Sequence, residues 1–345
     1  MKRVGNLISK IGTFENALDA YKKARKCKRF RTEVVNFEHF REANLLKAAE
    51  DIKSGTYIPG QYRVFKVWEP KERVIMALPF YDRVLQHMIV TWIEPIFEKH
   101  FIYHSYACRK GKGVHKASDQ LMRWLYNMEV VEGKRVYGLK CDIHHYFQSV
   151  DHKVLKKEIR KYIKDKQLLA IIDIIIDHNG IFPDGVGIPV GNLTSQLFAN
   201  VYLNILDIFV KNVLHCEKYI RYMDDFILLS EDVNELRHWK DEIEKFLKEE
   251  MKLELNPKTT IVCAKNGIDF VGYRHWNSTK KVRKAAMRRM RHLMRDLRNG
   301  LITEEFFNRS FESRLGSMQH ADTYHLTKEY EAEAEEIKKI LREAA

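Results

Sequence analysis

Apolar and polar positions change period several times along the chain, and each change marks an element. Up to about residue 60 the sequence reads as helices, ending in Ser54-Gly55-Thr56-Tyr57-Ile58-Pro59-Gly60, a turn-rich stop. Strand-like alternation takes over in Tyr62-Arg63-Val64-Phe65-Lys66-Val67-Trp68 and Lys71-Glu72-Arg73-Val74-Ile75-Met76-Ala77-Leu78, which predicts a hairpin across Glu69-Pro70. A helix from 82 to about 99, a basic Gly-containing loop over 109–113, a helix to about 127 and a strand over 135–143 follow. Helices fill roughly 151–178, and a Gly/Pro-rich connection over 180–191 leads into a helix over 193–214. Two short apolar runs, 219–222 and 226–230, flank Met223-Asp224-Asp225 and predict a tight hairpin with acids at its tip. A helix over about 232–250, short strands near Leu253 and Ile261 and over 268–273, a basic amphipathic helix and a helical tail complete the pattern.

Composition narrows the class. The 345 residues allow two or three compact units, and 45% apolar content gives each a core, so a disordered chain is excluded. Gly (16) and Pro (7) are too scarce for a collagen-like or low-complexity chain. The longest apolar stretch, around Leu168 to Ile176, is broken by Asp173 and falls short of the roughly 20 residues a membrane span needs, so no membrane partner is expected. Met1-Lys2-Arg3-Val4-Gly5 begins no readable secretory signal, and five Cys without a CxxC pair suit reduced thiols in a cytoplasm.

Charge points to a long anion. Lys and Arg (60) outnumber Asp and Glu (47), for a net charge of +13. The cations gather in the first forty residues, around Arg109-Lys110-Gly111-Lys112, and from Lys280 to Arg298. In the last patch Val282, Met287, Met290, Leu293, Met294 and Leu297 recur at helical spacing, leaving Lys281, Arg283, Lys284, Arg288, Arg289, Arg291 and Arg295 on the other face with Asp296 the one acid. A solvated face normally mixes signs, so nucleic-acid contact is favoured, although membrane-surface and calmodulin-target helices share the pattern. Within this basic chain Asp142 ends a predicted strand, and Asp224 and Asp225 sit on the hairpin tip about 80 residues later. Carboxylates at strand ends suit two Mg²⁺ ions about 3.5–4 Å apart, which borrow further oxygens from substrate phosphates. An Asp-Asp pair alone is commonly just a turn.

Seven ordered blocks resemble reverse transcriptases over about residues 60 to 320. Tyr222-Met223-Asp224-Asp225 resembles the family's signature hairpin, and Lys140-Cys141-Asp142-Ile143-His144-His145-Tyr146-Phe147-Gln148-Ser149-Val150 the block with the first metal Asp. Residues 73–79 look like the first block, and Ser105-Tyr106-Ala107-Cys108-Arg109-Lys110-Gly111-Lys112-Gly113 like the fingers block whose basic residue holds the triphosphate. Leu253-Glu254-Leu255-Asn256-Pro257-Lys258-Thr259 and Phe270-Val271-Gly272-Tyr273 resemble the blocks that close the palm. The seventh, Val190-Gly191-Asn192-Leu193-Thr194-Ser195-Gln196, has an aliphatic residue for the usual Gln and Gln for the usual Pro, as in diversity-generating retroelements, whose enzymes copy a template RNA with adenine-directed errors.

The resemblance implies an α+β right-hand polymerase with fingers (1–136), a palm on an antiparallel sheet (137–275, with an insertion at about 151–190) and a helical thumb (276–345). It implies Asp142, Asp224 and Asp225 as ligands of two Mg²⁺, with Mn²⁺ a substitute, and Arg109 with Lys110 or Lys112 as cations for the incoming triphosphate. Phe147, five residues after Asp142, is expected beneath the sugar, where a ring excludes a 2′-OH. Gly191 would let backbone approach the nucleotide beside Val190 and Gln196, and Lys258 is a candidate proton donor or phosphate neutraliser, with a salt-bridged surface lysine as its rival. His144 and His145 are expected on extended chain, facing opposite ways and structural. Partners implied are template RNA, RNA/cDNA duplex, dNTPs and a small basic accessory protein, in a bacterial or phage-encoded cytoplasmic enzyme. No RNase H or endonuclease domain is expected after the thumb. Rivals are a retron, group II intron or CRISPR-associated enzyme, and a non-catalytic RNA-binding subunit.

Overall fold

The computed structural model describes residues 3–68 and 72–343. They form two compact units interleaved along the chain: Met1–Lys110 with Asp142–Glu217 and Trp239–Lys258, and Gly111–Cys141 with Lys218–His238 and Thr259–Ala345.

In the first unit, helices Phe14–Ala24, Thr32–His39 and Arg41–Ser54 pack on the long helix Phe80–Glu98. Thr13 caps the first of them by accepting from the Asn16 N–H, and Gly55, at φ +76°, ends the third. Tyr21, Phe37 and Phe80 lock the group together, with Tyr21 stacked on Phe37 and Phe80 edge-on to both. The expected hairpin is present as β1 (Arg63–Trp68) and β2 (Glu72–Ala77), paired from Arg63 with Ala77 to Trp68 with Glu72. Its connection, Glu69 to Lys71, lies outside the described residues.

Helix Leu193–Asn212 packs on Phe80–Glu98 and on His152–Arg160. By length and composition it could cross a membrane, which corrects the expectation that no stretch reaches that size, but most of it is buried inside the protein. Several of its polar positions are interior: Asn200 and Asn204 are buried, and the Asn200 amide donates to the Ala107 carbonyl at 2.9 Å. The core-helix reading therefore accounts for its apolarity.

A four-stranded sheet in the order β4-β5-β3-β6 organises the second unit. Its strands are β3 (Tyr137–Asp142), β4 (Tyr219–Tyr222), β5 (Asp225–Ser230) and β6 (Thr260–Cys263), and only the last residue of β3, Asp142, is counted with the first unit. The strand expected near Leu253 is absent; Leu255 instead makes an isolated bridge to Ile143. A second sheet runs β7 (Ile268–Phe270), β8 (Tyr273–His275), β9 (Lys280–Val282). Gly138 allows close packing here, since a Cβ on it would lie 2.7 Å from Ile268 Cδ1.

The basic helix starts at Lys284 rather than 280, because Lys280–Val282 pairs with β8. As the spacing predicts, Met290, Leu293, Met294 and Leu297 are buried, packed with Phe307, Phe311 and Leu315 of helix Glu304–Met318 and Tyr330 and Ile337 of helix Tyr324–Glu343. All five cysteines are free thiols.

Candidate active site and nucleic-acid interface

Strand β3 buries Leu139 and Cys141 and ends on a half-buried Asp142. Asn256 holds that aspartate twice: its side-chain amide donates to Oδ2 at 2.9 Å, and its backbone N–H to the Asp142 carbonyl at 2.7 Å. The His144 N–H adds a bond to the Glu254 carbonyl at 2.9 Å. A carboxylate held through one oxygen by an amide gains a direction. Asn256 lies inside a family-like block, yet its side chain carries no signal in the sequence that it would orient Asp142.

The turn after Asp142 brings the rings of His144 and His145 to 4.0 Å, edge to face, and corrects the expectation that they face opposite ways. Alternation holds only for extended chain, and His145 sits at φ +47°, in the left-handed region. Phe147 follows, half-buried, and its carbonyl accepts from the Ile188 N–H at 2.8 Å. His152, buried, faces Asp177 Oδ1 at 3.2 Å with Nδ1 and the Gly187 carbonyl at 2.8 Å with Nε2, so the 183–191 connection is tied to the segment bearing Phe147. At its end the Val190 carbonyl accepts from the Met76 N–H of β2 at 3.2 Å.

Gly191, exposed, takes φ +117°, and a Cβ there would lie 3.2 Å from Ile75 Cγ2. The Leu193 N–H donates to Gln86 Oε1 at 3.1 Å, and the Asn192 amide to the Tyr62 hydroxyl at 3.1 Å. Gln196 is exposed in the first turn of this helix. Phe147, Val190 and Gly191 are thus brought onto one connected backbone framework with β2.

In the second unit Tyr222 pairs with Asp225, so the hairpin turn is Met223-Asp224 and Asp225 already belongs to β5. Met223 adopts φ +55°, a strained conformation for a side chain of its size. Arg221, fully buried, donates through Nη1 to the Met223 carbonyl at 3.1 Å and braces the turn. Strand β5 lies next to β3 in the sheet, the strand that ends in Asp142. Among the described residues no three His, Cys, Asp or Glu side chains form a ready-made metal cage. The donors are carboxylate oxygens, the hard class Mg²⁺ takes, and Mg²⁺ commonly uses one or two of these and completes its shell with phosphate and water.

Arg109 differs from expectation. Its side chain is 6% exposed against Glu98. Nε donates to both Glu98 oxygens at 3.0 and 2.9 Å, Nη2 to Oε1 at 2.6 Å, and Nη1 to the carbonyls of Ile102 and Ser105 at 2.7 Å each. Four of the five N–H groups of a guanidinium are then engaged, so Arg109 clamps its loop and is not free to take a triphosphate. Lys110 is 90% exposed and only loosely paired with Glu94 at 3.4 Å. Lys258 is exposed, without an ion-pair partner among the described residues.

On helix Lys284–Arg298, Lys284, Arg288, Arg289, Arg291 and Arg295 are exposed opposite the buried stripe, as is Lys281 on β9, whereas Arg283 is half-buried, its Nε 3.6 Å from Asp269. Arg295 pairs with its neighbour Asp296 at 3.6 Å.

Comparison with known proteins agrees with this arrangement. Protein YkfC of Escherichia coli (strain K12) is 26% identical over 267 residues, covering 65% of this chain and 69% of its own. The group II intron-encoded protein LtrA of Lactococcus lactis subsp. cremoris is 24% identical over 305 residues, covering 68% of this chain, which spans only 50% of LtrA. Telomerase from Candida albicans, solved with a fragment of telomeric RNA, superposes with a TM-score of 0.51 at 13% identity, over 89% of this chain and 60% of its own. That likeness concerns the fold alone, and it fits the right-hand polymerase architecture of helices around antiparallel sheet. The reverse transcriptase (RNA-dependent DNA polymerase) family matches residues 66–275, a span that holds β3, the Val190-Gly191 connection and the Asp224 hairpin, and the chain belongs to that family.

Proposed function

We propose that the protein is an RNA-directed DNA polymerase that copies a template RNA into cDNA from dNTPs, with fingers at 1–136, palm at 137–275 and thumb at 276–345. The observation that carries this reading is the placement of the acids: Asp142 ends β3 under the hold of Asn256, Asp224 lies on a braced, strained turn, and Asp225 opens β5, the neighbouring strand. Asp142, Asp224 and Asp225 would hold two Mg²⁺, or Mn²⁺ in their place. Once bound, such a pair supplies activation of the primer 3′-hydroxyl and stabilisation of the leaving pyrophosphate. The Phe147 ring excludes the 2′-hydroxyl of a ribonucleotide, and Gly191 admits substrate close to the backbone beside Val190 and Gln196. Lys110 and Lys258, both exposed, neutralise phosphate oxygens. Arg288, Arg289, Arg291 and Arg295 track the backbone of the RNA/cDNA duplex.

Asp142→Asn and Asp224→Asn each remove a carboxylate charge and no cation. Either change is expected to abolish Mg²⁺-dependent dNTP incorporation while leaving RNA binding nearly intact. Incorporation within a few-fold of the parent protein in either variant refutes the assignment.

The block from Val190 to Gln196 supports a finer reading, the error-prone enzyme of a diversity-generating retroelement working with a small basic accessory protein; the group II intron relative supports an intron-type enzyme as the alternative. Val190 offers no side-chain hydrogen bond where most family members carry Gln. Such a bond is worth about 0.5–1.5 kcal/mol net, up to roughly tenfold in discrimination. Val190→Gln is therefore expected to lower misincorporation opposite template adenine more than opposite other bases. Sequencing cDNA from both enzymes on one RNA reads this directly, and an equal or higher adenine error rate defeats it.

A further inference from the structure

The second unit holds a cavity of about 490 Å³ beside β9 and the start of helix Lys284–Arg298. Arg274, Lys281, Arg283 and Lys284 line it, with Asp269 and Asp322 as its acids and Trp276 and Met287 among its apolar walls. Neither acid neutralises the cations fully. Asp322 Oδ2 is taken up by the Lys280 backbone N–H at 2.8 Å, and Asp269 stands 3.6 Å from Arg283 Nε, beyond hydrogen-bond range. Among the described residues, Nε and Nη2 of Arg283 and Nε of Arg274 are buried without an acceptor, a costly condition that an acceptor-rich ligand relieves when the guanidinium groups turn towards it.

Trp276 also walls a second cavity, of about 380 Å³, lined by Lys134, Arg135, Lys265 and Glu129, where Lys134 pairs with Glu132 at 3.1 Å and Glu231 at 3.4 Å. The indole is seated firmly. Its N–H donates to the Lys265 carbonyl at 3.2 Å, and a Cβ on Gly267 would lie 2.7 Å from the ring, so the backbone is cut back to admit it. The Arg274 guanidinium and the Lys281 ammonium stand 5.7 and 6.0 Å from the ring centroid. Seven cations against five acids, counting the two that hold Lys134, in two cavities sharing one aromatic wall, form a track that a lone phosphate would leave half empty and a polynucleotide strand would fill.

We propose that this track binds single-stranded nucleic acid, its phosphates against the cations and a base against Trp276, as a site separate from the Arg288-Arg289-Arg291 face. The proposal deepens the nucleic-acid part of the polymerase reading, since it reassigns Lys281, Arg283 and Lys284, and it does not rest on catalysis. The test uses the full chain and oligonucleotides of roughly 12 nucleotides, RNA carrying 4-thiouridine and DNA carrying 4-thiothymidine.

Cross-links are expected at Trp276 or Met287. In fluorescence anisotropy against salt, Arg135→Gln with Lys265→Gln is expected to reduce the log–log slope by ~1.4, at ~0.7 for each phosphate no longer neutralised. Trp276→Leu is expected to weaken binding roughly tenfold, with thermal unfolding confirming that each variant is folded. Tighter binding of the RNA probe assigns the strand as RNA and of the DNA probe as cDNA; either supports the site. Cross-links confined to other residues, an unchanged slope in folded variants, or binding of an acidic peptide but of neither oligonucleotide overturns it. Neither measurement needs dNTP, so the expected cross-links on an inactive protein would fault the polymerase reading alone.

Discussion

Replacing Arg109 separates two roles that the sequence alone assigns to one residue. If the side chain clamps its own loop, Arg109→Ala removes four N–H donors from Glu98, Ile102 and Ser105 at once. Glu98 is 40% exposed, so water resolvates its carboxylate and the ion pair itself contributes little to the loss. Ser105 is fully buried, and a buried carbonyl deprived of its donor costs about 1–3 kcal/mol. Adding the lost packing of the buried guanidinium on Phe101, whose ring lies 5.4 Å away, brings the total to about 3 kcal/mol, or roughly 5–10 °C in unfolding temperature. Arg109→Lys keeps the charge but has no planar fork to span a carboxylate and two carbonyls, so it should lose more than half as much. Thermal unfolding with dNTP titration of incorporation measures both sides. An Arg109→Lys protein that unfolds at the parent temperature but shows a roughly tenfold higher KM for dNTP would refute the clamp and restore Arg109 as a nucleotide ligand.

Asn256→Ala should leave the fold intact while raising the Mg²⁺ concentration needed for half-maximal incorporation roughly 10-fold or more, because the Asp142 carboxylate loses its orienting amide; an unchanged Mg²⁺ titration would count against it. His275 is buried, its Nε2 2.7 Å from Ser118 Oγ and its Nδ1 3.2 Å from the Ile268 carbonyl, and burial lowers its pKa from 6.5 to about 4, assisted by Lys280 and Arg283 and opposed by the Ile268 bond and Asp269. Between those values the unfolded chain binds a proton that the folded one refuses, so its contribution is complete above about pH 6.5 and is lost as pH falls towards 4, by about 3 kcal/mol. Denaturant unfolding at pH 7 and 4.5 should show that slope reduced in His275→Gln, and an identical slope in both proteins would refute the assignment. Changing Arg288, Arg289 and Arg291 to Gln should weaken template–primer binding and lower its salt slope by about 0.7–0.9 for each phosphate left without its cation, whereas an unchanged slope would mean that the face is merely solvated.

The sequence by itself determined what depends on near neighbours. Alternation set the β1–β2 hairpin and the runs around Met223-Asp224-Asp225, and helical spacing marked the buried stripe of Met290, Leu293, Met294 and Leu297, because period and turn chemistry act over a few residues. The order of the blocks placed Asp142 and Asp224 in a polymerase family. Only the tertiary structure decided what depends on distant partners. Asn256 reaches Asp142 across 114 residues, and Lys280–Val282 left the helical pattern because β8 offered its edge. The sequence marked a helix over 193–214, and burial against the rest of the first unit made it a core helix. Arg109 shows the limit most plainly: its charge was legible, but whether that charge faces a substrate or a carboxylate is fixed by where Glu98 and two carbonyls come to lie, and no local periodicity encodes that.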